Sequence, residues 1–412
     1  MTDRTLAGPT LDDFLAARER VSKVAHVTPM ESSTYLSRVL GAPVYLKCEN
    51  LQRTGSYKVR GAFNRLSVLS EEEKSHGVVA ASAGNHAQGV ALAARELGLK
   101  ATIFMPVGVA LPKLQATRDY GADVVLSGHS VEDALRAAKE FSDSTGAVFI
   151  PPYDHADVIA GQGTLGLEIL DQVPDVDTIV MAIGGGGLIA GVASAVTQVR
   201  ERQGRGIRII GVQAANSAPY AVSMKLGAAT AVVPTPTIAD GIAVAKPGVL
   251  NFEIVKDVVD EVVTVSDDDT ARAILTLLER AKQVVEPAGA VGVAAIMTEQ
   301  VEPLGTTVVV LSGGNIDPLM MERVISRGLA ASDRYLHFRV GLPDRPGQLA
   351  RVSEIVSEAN ANVVEVLHTR HGRGLQISEV ELELSIETRG PEHAEQVMER
   401  LVENGFKPVR VE

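Results

Sequence analysis

The chain of 412 residues has few of the residues that crosslink, stack or bind polyanions. It contains one cysteine, no tryptophan and 4% aromatic residues, and its formal net charge is −12. A single cysteine, Cys48, excludes an intramolecular disulfide. Lysine and arginine form no basic block, which argues against nucleic acid or an anionic membrane as a partner. The length permits two or three domains with a large core, so stability requires neither metals nor disulfides.

Two segments bear on localisation. The first ten residues lack the basic start and the apolar core of a signal peptide. Residues 178–199 form an uncharged run that is long enough for a membrane span, but four consecutive glycines divide it into a β-branched half and an alanine-rich half. We therefore predict a strand, a loop and a helix in this run, and a cytoplasmic protein with no membrane partner.

Residues 44–314 alternate short β-branched runs with longer helical patterns, which predicts an α/β fold with parallel strands and crossover helices. Beyond residue 334 the pattern changes to strand, helix, strand, strand, helix, strand, with a turn at residues 371–374. This order is the ferredoxin-like βαββαβ plan. The predicted strands of the first region are VYLKCE, GVVAAS, KATIFMP, DVVLSG, TIVMAI, RIIGVQ, EVVTVS and TTVVVLS.

Lys58 lies in the motif GSYKVRGA, between two glycines and beside a serine and a tyrosine. A lysine on a solvated helix face needs no such neighbours, whereas a nucleophilic amine must be positioned, partly desolvated and closely approached by backbone. Burial also disfavours the ammonium form and so favours the free amine. We interpret Lys58 as a nucleophile, with a surface lysine as the alternative, and Arg60 as an ion-pair partner.

The motif GGGGL, which starts at Gly184, follows a predicted strand and opens a predicted helix. Its backbone N–H groups can therefore converge on a phosphate, helped by the helix dipole. A dinucleotide site is the alternative, since Gly185, Gly187 and Ala190 satisfy the pattern G-x-G-x-x-A. That pattern also requires an acidic residue at the end of the next strand, where this chain has Gln213.

Three further motifs contain candidate site residues. SAGNH, residues 82–86, lies between a strand and a helix, so its N–H groups are free to bind a carboxylate. Glu286 in EPAGA opens a helix. A carboxylate at that position is explained equally well by stabilisation of the helix dipole and by a catalytic role. Ser312 in LSGGN ends a predicted strand and is either a cofactor contact or part of a glycine-rich turn.

These five motifs occur in the order and at the spacing of the pyridoxal-phosphate enzymes of the tryptophan-synthase-β type. Within that superfamily the chain resembles the threonine ammonia-lyases over nearly its whole length, and its last segment resembles an ACT regulatory domain. The resemblance implies two doubly wound α/β domains of fold type II, followed by the ferredoxin-like domain. It also implies a catalytic region at residues 1–330, with a smaller subdomain inserted at about 50–155, and a regulatory region at 335–412.

The resemblance implies that the cofactor is pyridoxal 5′-phosphate, bound covalently to Lys58. Asn85 would bind its 3′-oxygen and Ser312 would face its pyridine nitrogen, where a hydroxyl makes a weaker electron sink than a carboxylate and so suits β-elimination. Gly241 would also lie near the cofactor. The phosphate would contact Gly184, Gly185, Gly186, Gly187 and Leu188, and the substrate carboxylate would contact Ser82, Ala83, Gly84, Asn85 and His86. His86 is alternatively a helix-opening residue with no catalytic part.

The implied reaction converts L-threonine to 2-oxobutanoate and ammonia, or L-serine to pyruvate. Serine racemase or serine dehydratase of the same fold is the nearest alternative, but the racemases carry a serine where this chain has Ala83, which cannot transfer a proton. Two further alternatives are β-replacement, as in cysteine synthase, and an amino-acid sensor with a degenerate catalytic half. No metal site is predicted, although the sequence leaves a cation near residues 240–248 open.

The C-terminal region is interpreted as regulatory. A βαββαβ unit has exposed sheet edges that can pair between subunits, and the loop after its first strand forms a pocket at that junction. The resemblance implies an amino-acid effector, with isoleucine or valine as candidates, and a homotetramer or homodimer. A purely oligomerising module is the alternative. The implied effector contacts are Asp344, Arg345, Pro346, Gly347 and Asn362.

Overall fold

The computed structural model describes residues 8–370, 376 and 378–411. The first seven residues, part of the segment searched for a signal peptide, and the turn predicted at residues 371–374 lie outside the described residues. The chain divides into two compact units, Met1–Met321 and Glu322–Glu412. Among the described residues, no helix is long and apolar enough to cross a membrane.

The first unit contains two sheets, a six-stranded sheet in the order β1-β2-β10-β7-β8-β9 and a four-stranded sheet in the order β5-β4-β3-β6. Every pairing is parallel except that of β1 with β2. The strands are β1 (Met30–Ser32), β2 (Val44–Lys47), β3 (Val78–Ala81), β4 (Ala101–Met105), β5 (Asp123–Leu126), β6 (Val148–Phe149), β7 (Thr178–Ala182), β8 (Arg208–Ala214), β9 (Glu261–Val265) and β10 (Thr307–Val310).

All eight strands predicted for this region are present, and the α/β class is confirmed. Two short strands, β1 and β6, were missed because runs of three and two residues carry no periodic pattern. The first predicted strand was too long. It ends at Lys47, and Glu49–Leu51 forms a 3₁₀ turn instead.

The helices pack against both faces of the parallel sheets. Several begin at a hydroxyl N-cap, such as Thr10 and Ser130, whose side-chain oxygen accepts a hydrogen bond from the first turn. The helices of the first unit are α1 (Leu11–Val21), α2 (Thr34–Leu40), α3 (Lys58–Ser67), α4 (Glu71–His76), α5 (Asn85–Glu96), α6 (Leu111–Asp119), α7 (Val131–Thr145), α8 (Ala156–Gln172), α9 (Gly187–Arg202), α10 (Pro219–Leu226), α11 (Val249–Val258), α12 (Asp267–Thr276) and α13 (Pro287–Met297), with α14 (Pro318–Ala331) at its boundary.

The uncharged run of residues 178–199 is a buried strand, β7, a glycine loop and the start of α9, as predicted. The strand and the first turns of the helix are buried in the core of the larger sheet. In a parallel sheet the loops that follow the strands gather at the carboxyl edge, which is where open α/β folds bind ligands. The loops after β3, β7 and β10 contain the motifs SAGNH, GGGGL and LSGGN.

The second unit has a four-stranded antiparallel sheet in the order β12-β13-β11-β14, the ferredoxin-like arrangement that was predicted. Alternate residues of β13 are buried, as expected for a sheet with one solvated face. Its elements are β11 (Tyr335–Pro343), α15 (Gln348–Glu358), β12 (Asn362–Thr369), β13 (Glu379–Glu387), α16 (Pro391–Glu403) and β14 (Pro408–Arg410).

Candidate active site

Lys58 is the first residue of α3, and its backbone is tightly packed against α5. A Cβ on Gly89 would lie 3.1 Å from the Lys58 carbonyl carbon, so glycine permits this close approach. The Lys58 Nζ donates a hydrogen bond to the Pro152 carbonyl at 3.0 Å and lies 5.3 Å from the centre of the Tyr57 ring. The amine is therefore held by neutral groups at the opening of a helix.

Asn85, the first residue of α5, is held at both ends of its amide. Its Nδ2 donates to Glu286 Oε1 at 2.6 Å, and its Oδ1 accepts a hydrogen bond from Asn315 Nδ2 at 2.8 Å. Asn315 Nδ2 also donates to the Thr54 carbonyl at 2.7 Å. Since the Thr54 carbonyl only accepts hydrogen bonds, it determines the orientation of the Asn315 amide, which in turn determines that of Asn85 and leaves one N–H of Asn85 for a ligand.

Glu286 is buried, with 5% exposure, and precedes α13 as its N-cap. Burial raises the pKa of Glu286 to about 7, the nearby Asp240 carboxylate acts in the same direction, and the Asn85 hydrogen bond opposes the rise. A carboxyl group that changes charge near neutral pH thus contacts the amide of Asn85.

Ser312 and the glycine that follows it bring the last motif against the others. The Ser312 carbonyl accepts a hydrogen bond from the Tyr57 N–H at 3.2 Å, directly before Lys58. A Cβ on Gly313 would lie 2.2 Å from Glu286 Oε1 and 3.2 Å from Asn85 Nδ2. The structure therefore gathers Lys58, Asn85, Glu286 and Ser312 in one place.

The glycine loop is enclosed by side chains that leave no space for a Cβ. An added Cβ would lie 2.4 Å from the Tyr153 ring at Gly185, 2.9 Å from the Tyr153 Cβ at Gly187, and 3.0 Å from Ile242 at Gly184. Helix α9 starts at this loop without a side-chain cap. Among the described residues, none accepts a hydrogen bond from the N–H groups of residues 184–187. These donors are free for an anion.

Gln213 does not serve the dinucleotide alternative. It is fully buried at the end of β8, and its Oε1 accepts hydrogen bonds from the Tyr220 and Ala221 N–H groups at 2.9 and 3.1 Å. Its Nε2 donates to the Ile183 carbonyl at 3.3 Å. Its amide oxygen caps α10 and has no lone pair left for a ribose hydroxyl.

Apart from the Asn85 amide, the loop of residues 82–86 contributes backbone rather than side chains. Helix α5 opens without a side-chain cap, and the Gly84 N–H donates to Ser82 Oγ at 3.1 Å. His86 is buried, with its Nε2 2.9 Å from the Ile150 carbonyl, and burial, reinforced by Lys58, lowers the pKa of His86 to about 3. The imidazole is therefore neutral, and only the backbone of His86 can bind a carboxylate. Ala83 has no proton to transfer.

The donor set fits pyridoxal phosphate. The site has an amine that is hydrogen-bonded to a carbonyl, a glycine loop with free N–H groups at a helix start, and a single oriented N–H on Asn85. It also contains the Ser312 hydroxyl, which is buried with 4% exposure. These groups match the aldehyde, the phosphate, the 3′-oxygen and the pyridine nitrogen of the cofactor in kind and number.

Sequence reasoning missed three residues that the structure places at the site. Tyr153 packs on the glycine loop, Asn315 orients Asn85, and Lys113 Nζ lies 3.9 Å from the position of a Cβ on Gly84. Lys113 also pairs with Asp240 at 3.4 Å. Asn315 ends the quoted motif LSGGN and had a signal, whereas the segments around Tyr153 and Lys113 have no distinctive pattern.

The predicted effector contacts do not come together within one copy of the second unit. Asp344 pairs with Arg370 at 3.5 Å, and Gly347, with φ of 91°, precedes α15. Both follow the end of β11 that pairs with Glu379, whereas Asn362 pairs with Glu387 at the other end of β13. Glu379 and Glu387 are eight residues apart on β13, so at the rise of an extended strand they are about 26 Å apart. The register of the sheet separates Asn362 from residues 344–347.

The chain is similar to known proteins over both units. The family described as pyridoxal-phosphate dependent enzyme matches residues 21–313, and the ACT domain family matches residues 337–406. An L-threonine ammonia-lyase of Thermotoga maritima is 46% identical over 97% of this chain and 98% of its own length. A catabolic L-threonine dehydratase of Escherichia coli is 45% identical over 74% of this chain and 93% of its own length.

Solved structures agree with these matches. A processed threonine deaminase from Solanum lycopersicum has a TM-score of 0.73 at 37% identity, covering 78% of this chain and 90% of that one. A maize serine racemase has the same TM-score of 0.73 at 36% identity, covering 79% and 99%. With its lysine, glycine loop and family match, the chain belongs to the pyridoxal-phosphate dependent enzymes and ends in an ACT domain.

Proposed function

We propose that the protein is a threonine ammonia-lyase that converts L-threonine to 2-oxobutanoate and ammonia, with L-serine as a second substrate. The reaction expels the β-hydroxyl as water and takes up one water when ammonia leaves, so its atoms balance. The observation that carries the proposal is the Lys58 amine, held by a carbonyl at 3.0 Å beside the oriented amide of Asn85. The relatives that are named for threonine support the choice of substrate.

Each group of the site has a separate role in this reaction. The N–H groups at the start of α5 bind the substrate carboxylate, since that helix has no cap of its own. Lys58 removes the Cα proton, a step for which a positioned base contributes roughly a hundred- to ten-thousand-fold. Bound pyridoxal phosphate supplies the electron sink for the electron pair that this step releases. The Ser312 hydroxyl keeps that sink moderate, which favours elimination over transamination.

The test is a product assay with the purified protein loaded with the cofactor. L-threonine and L-serine are supplied separately without any added thiol, and 2-oxobutanoate, pyruvate and ammonia are measured. We expect equal amounts of oxo acid and ammonia. A requirement for sulfide would show β-replacement instead, and the absence of any product would support the sensor alternative.

Serine racemase is kept as a second candidate because a maize serine racemase is 36% identical to this chain. Ala83 disfavours it, since racemisation needs a second group that transfers a proton. The measurement is D-serine formation from L-serine by the unmodified protein and by Ala83→Ser. We expect none from the former. D-serine from the unmodified protein would make racemisation its function.

We also propose that catalysis belongs to residues 1–330, with the smaller subdomain at about 50–155, and regulation to residues 335–412, as the two family matches support. The effector is a branched-chain amino acid. Within one copy, Asn362 lies far from residues 344–347. The pocket would therefore combine Asn362 of one copy with residues 344–347 of another copy in a homodimer or homotetramer. The unpaired Cys48 supports a cytoplasmic location.

This regulation is tested by titrating the full chain with isoleucine and valine while its mass is followed by light scattering. We expect a change in activity that Asp344→Ala and Asn362→Ala each abolish, without loss of basal turnover. An unchanged response in both variants would exclude this pocket. A monomeric protein that still responds would exclude a pocket built from two copies.

A further inference from the structure

The carbonyl of Gly185, in the glycine loop, accepts three hydrogen bonds. Its donors are Asn251 Nδ2 at 2.9 Å, the Gly248 N–H at 3.1 Å and the Tyr220 hydroxyl at 3.2 Å. A backbone carbonyl has two lone pairs, so three donors are more than its usual complement. Two of these donors belong to side chains on different helices, α10 and α11, which begin 34 and 64 residues beyond Gly185.

Both side chains are fully buried, and Asn251 has an unsatisfied polar atom there. Asn251 Oδ1 is buried and has no hydrogen-bond partner among the described residues, so the amide is retained at the cost of an unsatisfied acceptor. A flip of the amide would set two oxygens against each other at Gly185. Burial raises the pKa of the Tyr220 hydroxyl, which therefore stays protonated and remains a donor.

A carbonyl held from one side also determines where the next N–H points. In a trans peptide the C=O and N–H bonds point in opposite directions, so the N–H of Gly186 points away from Tyr220 and Asn251. Gly186 has a φ of 98°, and a Cβ there would lie 1.9 Å from the Tyr220 oxygen. The peptide between Gly185 and Gly186 is therefore held in one orientation, with its N–H free.

We propose that Tyr220 and Asn251 are positioning residues that orient the peptide between Gly185 and Gly186 so that its N–H binds the phosphate of the cofactor. This inference rests on the proposed function, because it requires pyridoxal phosphate at the loop. Neither side chain contacts the reacting atoms.

Neighbouring contacts connect this arrangement with the amine. Asp154 Oδ2 accepts from the Val249 N–H at 2.9 Å and Asp154 Oδ1 from the Asn251 N–H at 3.2 Å, so Asp154 fixes the start of α11. Pro152, two residues earlier, accepts the hydrogen bond of Lys58. Residues 152–154 thus contact Lys58, the glycine loop and α11, the helix whose Asn251 donates to the Gly185 carbonyl.

The test compares two aldehydes that differ only in the phosphate. Cofactor-free protein is titrated with pyridoxal 5′-phosphate and with pyridoxal, and each dissociation constant is read from the absorbance of the bound aldehyde. Both form the same bond with Lys58, so the change in the ratio of the two constants from the unmodified protein to a variant isolates the phosphate. For Tyr220→Phe and Asn251→Leu we expect affinity for pyridoxal phosphate to fall roughly 10- to 100-fold, the value of a hydrogen bond to a charged group. Affinity for pyridoxal should change less than about twofold on the same scale.

Tyr120→Phe is the matched control, because the Tyr120 hydroxyl also donates to a backbone carbonyl, that of Arg53, at 3.0 Å. It should leave the ratio unchanged. Equal losses for both aldehydes, or an unchanged ratio in Tyr220→Phe, would overturn the proposal. If Asn251→Leu fails to fold, Tyr220→Phe still decides, since it removes one oxygen. If the unmodified protein binds neither aldehyde, the proposed function fails rather than this inference.

Discussion

Two buried glutamates in the first unit have pKa values shifted in opposite directions, and they neighbour side chains on opposite sides of α3, Arg60 for Glu49 and Lys58 for Glu286. Behind the helix, Glu49 accepts hydrogen bonds from Arg60 Nε and Nη2, both at 2.8 Å, and from Thr28 Oγ1 at 2.7 Å. Burial would raise the pKa of Glu49, but the Arg60 guanidinium outweighs it and holds the pKa below its usual range. In front of the helix, Glu286 contacts an amide, and burial raises its pKa to about 7.

The difference lies in the partners of the two carboxyl groups, a guanidinium for Glu49 and a neutral amide for Glu286. Arg60 also pairs with Glu168 at 2.9 Å, and Lys47 pairs with the same carboxylate at 2.5 Å, which confirms the prediction that Arg60 is an ion-pair partner. Lys58 is two residues from Arg60, but its amine donates a hydrogen bond to a backbone carbonyl instead of pairing with a carboxylate. The Lys58 amine therefore has a neutral hydrogen-bond partner, whereas the Arg60 guanidinium is paired with carboxylates.

Removing the amine is the change with the largest expected effect. Lys58→Ala should lower turnover of L-threonine by roughly a thousandfold or more, because it removes both the cofactor attachment and the base. The visible absorbance of the loaded protein should be lost, while the urea midpoint of the cofactor-free protein stays close to that of the unmodified chain. Lys58→Arg, which keeps the charge, should be equally inactive. Retained turnover in either variant would contradict the role of Lys58.

Breaking the cluster behind the helix should affect stability instead. Glu49→Ala leaves the Arg60 guanidinium buried with one carboxylate fewer, and removal of one partner of a buried pair costs about 3–5 kcal/mol. Urea unfolding of the cofactor-free protein measures this loss.

Glu71→Ala is the control for that loss. It removes a pair with Lys74 whose glutamate is 91% exposed. Its cost should be less than about 1 kcal/mol. Equal losses in Glu49→Ala and Glu71→Ala would mean that the cluster contributes no more than a surface pair.

The glutamate in front of the helix should make stability depend on pH. Because burial raises the pKa of Glu286 to about 7, the folded protein binds a proton that the unfolded chain releases near its ordinary pKa. Stability of the cofactor-free protein should therefore fall as the pH rises from about 5 to about 8, by up to roughly 3 kcal/mol relative to Glu286→Gln. Urea unfolding at both pH values measures this difference.

Glu49→Gln is the matched control for this pH dependence. The pKa of Glu49 is lowered, so its contribution is complete above its ordinary pKa and is lost only as the pH falls through the lowered value. Between pH 5 and 8, its difference from the unmodified protein should stay constant. A constant difference for Glu286→Gln as well would mean that Glu286 does not change charge in this range.

Local sequence was sufficient to predict those parts of the site that lie within one short segment of the chain. Lys58 and the glycine loop were predicted because their neighbours in the chain create their surroundings. Tyr220 and Asn251 could not be predicted, since each is an ordinary helix residue whose role exists only where α10 and α11 meet the loop. Asn362 was grouped with residues 344–347 by resemblance to ACT domains, and the register of β13, which local sequence does not give, separates them within one copy.

The smallest expected effect is at Cys48, which lies between Lys47 and Glu49. Burial, reinforced by the Glu31 carboxylate, raises the pKa of the Cys48 thiol to about 12, and the side chain is fully buried. At pH 8 the native protein should therefore not react with Ellman's reagent, whereas one thiol per chain should react in urea. Glu49→Ala should speed labelling of the native protein, because opening of the cluster exposes the thiol. Rapid labelling of the unmodified protein would show that the region behind α3 opens readily and would remove the contrast with the site in front of it.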